Sequence, residues 1–263
     1  MGIRKGQILA RRYEIQMRLG GGGNSQVYLA NDTVSGRKRA VKQIKKSGNS
    51  RMCGFARKEA ETVQKLNYPY FPEIVDILQT DEADYIVMEY LQGETAGERL
   101  CRLGPQPAQE VVRWAKDLCL MLSYLHSQKP SMVYCDMKPD NIMIQPEGNL
   151  RLIDFGAVLE LKQEDARPQL LLGTRGYAAP EQLGNGHPVD ARADIYGLGV
   201  TMYQLLTGQD PCKAEAGAFP ARSLRRAMPR RLERIVRKCT REEPEMRYQT
   251  CDELRENLAK AGT

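Results

Sequence analysis

The chain has 263 residues, 39 of them Lys or Arg against 33 Asp or Glu, for a formal net charge of +6. That length suits one domain and little else; no apolar run approaches the roughly eighteen residues that span a bilayer, and the N-terminus lacks a secretory leader pattern. The expected location is therefore the cytoplasm, as a free protein or as the cytoplasmic portion of a longer one. Seven irregularly spaced cysteines, with no Cys-x-x-Cys pair, argue against a disulfide framework or zinc site and for reduced thiols.

In chain order, two β-type segments, Tyr13 to Leu19 and Gln26 to Asn31, flank Gly20-Gly21-Gly22-Gly23-Asn24-Ser25. Glycines let backbone amides approach an anion and accept positive φ, so this run predicts a hairpin lid. Arg39 to Ile44 alternates and is β-branched, which predicts a strand bearing Lys42. A helix is predicted over roughly Cys53 to Leu66, with Phe55, Glu59, Val63 and Leu66 on one face; Glu61 lies about 200° from Glu59, on the surface side. Tyr85 to Gly93 reads as a strand entering a connector, and Pro105 to Pro107 as a turn before a helix.

The most informative stretch is Tyr134-Cys135-Asp136-Met137-Lys138-Pro139-Asp140-Asn141, followed thirteen residues after Asn141 by Asp154-Phe155-Gly156. A phosphoryl group moving to a hydroxyl spreads negative charge over its equatorial oxygens, so its transfer needs positioning, cations and metal-binding oxygens. Asp136 is placed to orient the attacking hydroxyl, Lys138 to offset charge on the phosphate, and Asn141 and Asp154 to offer oxygens to a hard cation such as Mg²⁺. Alone, Asp-x-Lys-x-x-Asn is a weak signal; joined to Asp-Phe-Gly it is strong.

With Gly173-Thr174, Ala179-Pro180-Glu181, Asp194 to Val200 and Pro244-Glu245-Met246-Arg247 downstream, the chain resembles the eukaryotic-like serine/threonine protein kinases from about Tyr13 to Leu258, with wording similar to the bacterial members. The resemblance implies an α+β, bilobal fold. A β-rich N-lobe with one helix would occupy 1–90, and a mainly helical C-lobe 91–263, including the hinge and an activation segment at 154–181. ATP and Mg²⁺ would be the cofactors, bound in a cleft between lobes, and the substrate a protein with Ser or Thr.

By the same resemblance Lys42 holds the α- and β-phosphates and pairs with Glu59. Leu19, Gly20, Gly21, Gly22, Gly23, Asn24 and Ser25 cover the phosphates, Ser25 standing where the family has a third glycine. Val27, Ala40 and Met143 sandwich the adenine, Glu89 and Leu91 present main-chain groups to it, and Met88 controls the pocket behind. Thr174 contacts Asp136 and Lys138; Arg247 pairs with Glu181 as a structural ion pair.

Two absences carry a further expectation. The residue before Asp136 is Cys135, where many relatives have an arginine that grips an activation-loop phosphate, and Ala157 to Leu172 contains no Ser, Thr or Tyr. Activity is therefore expected to be independent of loop phosphorylation, with Leu170-Leu171-Leu172 packing on this domain or a partner and control coming from protein contacts, homodimerisation or an attached domain. The basic stretch from Arg222 through Arg241 reads first as solvated helix surface, with docking of an acidic partner as the alternative. Two rival functions keep parts of the pattern. A binding-only pseudokinase is opposed by Lys42, Glu59, Asp136, Asn141 and Asp154 all being present; a small-molecule phosphotransferase would not be expected to carry the polypeptide platform at 173–181.

Overall fold

The structure is a computed structural model, and it describes residues 3–21, 25–46, 63–64, 66, 68–161, 172–184, 186–213 and 228–261. Gly22, Gly23, Asn24, Glu59, Leu170, Leu171 and the arginines at 222, 225 and 226 lie outside the described residues, as does nearly all of the helix expected over 53–66. The chain forms two compact units: residues 1–92 with 151–156, and residues 93–150 with 157–263.

The first unit is built on six antiparallel strands: β1 (Ile8–Leu9), β2 (Tyr13–Gly21), β3 (Ser25–Asp32), β4 (Lys38–Lys45), β5 (Ile74–Gln79) and β6 (Ala83–Glu89). Their spatial order is β1-β2-β3-β4-β6-β5. Period-two alternation divides the side chains between the two faces. Tyr13, Ile15, Tyr28, Ala30, Val41, Tyr85 and Val87 belong to one apolar cluster. Ala40, Ile86 and Met88 form another, joined by Val27 and Ile44. Lys42 is two residues from both Ala40 and Ile44 and directly opposite Val27 and Ile86, which places it on the second, apolar face.

The expected strands are present, each slightly longer than the sequence pattern. β2 and β3 pair as far as Gly21 with Gln26. At Gly21 φ is +151°, and a Cβ there would lie 2.5 Å from the Ser25 carbonyl oxygen, so only glycine closes this hairpin end.

The described part of the second unit contains α1 (Ala96–Leu103), α2 (Ala108–His126), α3 (Arg192–Thr207), α4 (Arg230–Cys239) and α5 (Cys251–Ala261), with short strands β7 (Glu94–Thr95), β8 (Met132–Val133), β9 (Ile142–Ile144) and β11 (Leu159–Glu160). The chain passes from the second unit to the first within β10 (Leu150–Leu152). Thr95 opens α1 with a reciprocal cap: its hydroxyl accepts from the Glu98 amide at 3.0 Å and the Glu98 carboxylate accepts from the Thr95 amide at 2.8 Å. Pro107 sits at the N-cap of α2, whose inner stripe Val111, Trp114, Ala115, Leu118, Leu122 and Leu125 is buried against α3 and α5. In α3, Gly199 permits close approach of α4, since a Cβ would lie 2.5 Å from that of Cys239.

Candidate active site

In the first unit the Lys42 ammonium lies 2.9 Å from Asp154 Oδ1, linking residues 112 positions apart in sequence. The Gly156 amide donates to the same oxygen at 3.0 Å, so the turn after Asp154 holds its own carboxylate. Phe155 packs edge-on against Phe71 with ring centroids 4.8 Å apart. Arg151 reaches Glu89 at 2.7 Å and the Phe71 carbonyl at 2.8 Å, which fastens the segment before Asp154 to the end of β6. Val27, Ala40 and Met88, expected around an adenine, share the sheet face of Lys42. Glu89 ends β6, and Leu91 is buried just beyond it.

In the second unit four sequence-predicted residues meet at one point. The Thr174 hydroxyl donates to Asp136 Oδ1 at 2.6 Å and accepts from Lys138 Nζ at 2.7 Å; Lys138 Nζ also donates to Asp136 Oδ2 at 2.8 Å. The Asn141 amide nitrogen donates to the Asp136 carbonyl at 2.8 Å and to its Oδ2 at 2.9 Å. Both Asn141 N–H groups are thereby spent on Asp136, which leaves its carbonyl oxygen as the atom available to a cation. That oxygen and the Asp154 carboxylate, 39% exposed, are the hard donors Mg²⁺ prefers, so within each unit the residues present fit the ion. Met143 lies in β9, opposite Thr95 of β7.

The backbone under Asp136 is anchored from below by α3. The buried Asp194 carboxylate accepts from the amides of Tyr134 and Cys135, both at 2.8 Å, and lies 2.7 Å from His126 Nε2. Thr201 donates to the Met137 carbonyl at 3.0 Å. Cys135 itself has φ of +66°, a left-handed conformation costing about 1–2 kcal/mol for a residue with a Cβ; these hydrogen bonds hold it there. Burial, then the nearby Asp194 and Asp136 carboxylates, push the Cys135 thiol well above its usual range, so it remains neutral.

The chain at Glu181 is fixed by Arg247. All five of its N–H donors are used, on both oxygens of Glu181 (2.5 and 2.8 Å) and on the carbonyls of Arg192, Arg241 and Glu242. Neither side chain is more than 1% exposed. Leu172 packs in an apolar cluster with Val133, Cys135, Ala179 and Val189.

Sequence reasoning named the α3 stretch but not the individual contacts of His126, Thr201 or Gln182, none of which carries a periodicity or motif signal. In the basic stretch, Arg237 pairs with Glu233 at 2.9 Å, and Lys238 pairs with Glu253 and covers the Tyr248 ring at 4.0 Å. Arg230, Arg231, Arg234 and Arg241 are exposed.

A family model described as the protein kinase domain matches residues 13–260. The chain is 29% identical over 270 residues to the serine/threonine-protein kinase PrkC of Bacillus subtilis, covering 97% of this chain and 41% of that protein. It is 33% identical over 275 residues to the serine/threonine-protein kinase PknB of Mycobacterium leprae, covering 96% and 43%. To PknB of Mycobacterium tuberculosis it is 32% identical over 276 residues, again covering 96% and 43%. The chain thus spans about two fifths of the length of these relatives. Among the described residues no helix is long and apolar enough to cross a membrane.

Proposed function

Because this chain belongs to the protein kinase domain family, we propose that it transfers the γ-phosphoryl group of ATP to Ser or Thr hydroxyls of proteins. The observation that carries the proposal is the meeting of Asp136, Lys138, Asn141 and Thr174 through hydrogen bonds of 2.6–2.9 Å. Asp136 orients the substrate hydroxyl and takes up its proton, Lys138 offsets charge on the transferring group, and Thr174 keeps the two aligned. Lys42, held by Asp154, supplies a cation to the phosphates. Bound Mg²⁺ supplies charge neutralisation at the phosphate oxygens. Incubation with labelled ATP, Mg²⁺ and a generic protein substrate should yield phosphoserine and phosphothreonine; absence of labelled protein across the usual generic substrates overturns the reading.

Lys42 and Asp154 have separable roles. Lys42→Met and Asp154→Asn should both lose activity, but only the second should raise the Mg²⁺ concentration needed for half-maximal rate, by about tenfold or more, because it replaces the charged metal ligand with a neutral one. Coincident Mg²⁺ titrations for the two variants count against this assignment.

Transfer is also proposed not to depend on phosphorylation of the activation segment, with control residing in protein contacts, homodimerisation or an attached domain. The neutral, buried Cys135 offers no charge to a phosphate where an arginine would, and the Thr174 hydroxyl is already engaged by Asp136 and Lys138. A phosphate on Thr174 would place negative charge against Asp136. Phosphatase-treated enzyme should show its full initial rate without a lag. A loss restored in step with phosphate at Thr174 or Tyr177 overturns this.

A further inference from the structure

We propose that Gln182 is a positioning residue for phosphoryl transfer, its carboxamide clamping the activation segment onto the backbone beside the catalytic aspartate. The side chain is 2% exposed and each of its polar atoms is used. Nε2 donates to the Cys135 carbonyl at 2.7 Å and to the Leu172 carbonyl at 3.2 Å, and Oε1 accepts from the Ala179 amide at 2.9 Å. One carboxamide therefore ties together three backbone positions. Cys135 immediately precedes Asp136, and Leu172 lies two residues before Thr174, so the clamp closes directly behind the Asp136–Thr174 hydrogen bond.

The surroundings are shaped for this side chain. Gly173 has φ of +89°, and a Cβ there would lie 2.5 Å from the Cys135 carbonyl oxygen and 2.9 Å from Gln182 Nε2. Any other residue at 173 would push the two segments apart. The left-handed turn at Cys135 accompanies the bond its carbonyl makes to Gln182. Where a phosphate gripped by an arginine could supply charge-assisted bonds between these segments, this chain has a neutral thiol. Gln182 supplies neutral, permanent bonds in the same role, which requires a residue with both donors and an acceptor on one planar group.

The inference rests on reading Asp136, Lys138 and Thr174 as the transfer residues, and the test separates the two. Gln182→Glu keeps length and volume and still accepts from Ala179, but its carboxylate has no proton for the two carbonyls; Gln182→Leu removes all three bonds. At about pH 8, kcat should fall about tenfold or more in both, with KM for ATP within about twofold of the parent. As pH is lowered to about 6.5 the buried glutamate regains a proton and a donor, so the ratio of its kcat to that of the parent should rise several-fold, while the ratio for the leucine variant stays flat.

Values of kcat within about twofold of the parent in both variants overturn the proposal. So does a loss in Gln182→Glu whose ratio to the parent does not change with pH, since a loss caused by the missing donor must be relieved when the proton returns. Should the leucine variant fail to fold, the pH ratio of the glutamate variant decides alone. A parent with no transferase activity would instead refute the functional reading on which the test is built.

Discussion

Asp136→Asn is expected to slow phosphoryl transfer about a hundredfold or more, the scale of a positioned general base. Three donors converge on the Asp136 carboxylate: the Thr174 hydroxyl, the Lys138 ammonium and the Asn141 amide. An asparagine keeps the shape but must turn an NH₂ group toward at least one of these donors, so the variant loses both the proton acceptor and part of the alignment. Binding of ATP should change little, because Lys42, Asp154 and the apolar face bearing Val27, Ala40 and Met88 are built in the other unit. Steady-state rates with a generic protein substrate, alongside a nucleotide-binding titration, check both halves. A variant near the parental rate means Asp136 has been given the wrong role.

Arg247→Met is expected to destabilise the fold by about 3–5 kcal/mol, among the largest effects available to a single substitution, because it leaves the Glu181 carboxylate buried without a counter-charge. Four bonds to backbone and carboxylate groups would go with the guanidinium's two Nη atoms, and a fifth with Nε. Pairing the change with Glu181→Leu should recover part of the loss, since removing both charges removes the stranded one. Denaturant unfolding followed through Trp114, the one tryptophan of the chain and 2% exposed within α2, reports on this unit. A single-variant loss under about 1 kcal/mol, or a double variant no more stable than the single, would show that the pair contributes little.

What was readable without coordinates follows from how far each signal reaches along the chain. Strand alternation around Lys42 gave its face, because neighbours two residues apart share a side of the sheet whatever the partner strand. The order Asp136, Lys138, Asn141 likewise carried its chemistry, since all three lie within one short loop. The pairing of Glu181 with Arg247 was reached only through resemblance, and nothing local in either segment announces it.

By itself, then, the sequence determined β2, β3, β4 and the strand that runs into Glu89, and it set Asp136, Lys138 and Asn141 within one loop, all of which depend on short-range spacing and residue chemistry. Tertiary structure alone decided that Lys42 meets Asp154 across 112 positions, that Asp194 holds the amides of Tyr134 and Cys135, and that Gln182 joins Cys135 to Leu172. The reason is physical. A buried polar group must find a hydrogen-bond partner, but which partner it finds depends on segments brought together by packing. A glutamine following Ala-Pro-Glu looks the same in sequence whether it faces water or closes a clamp.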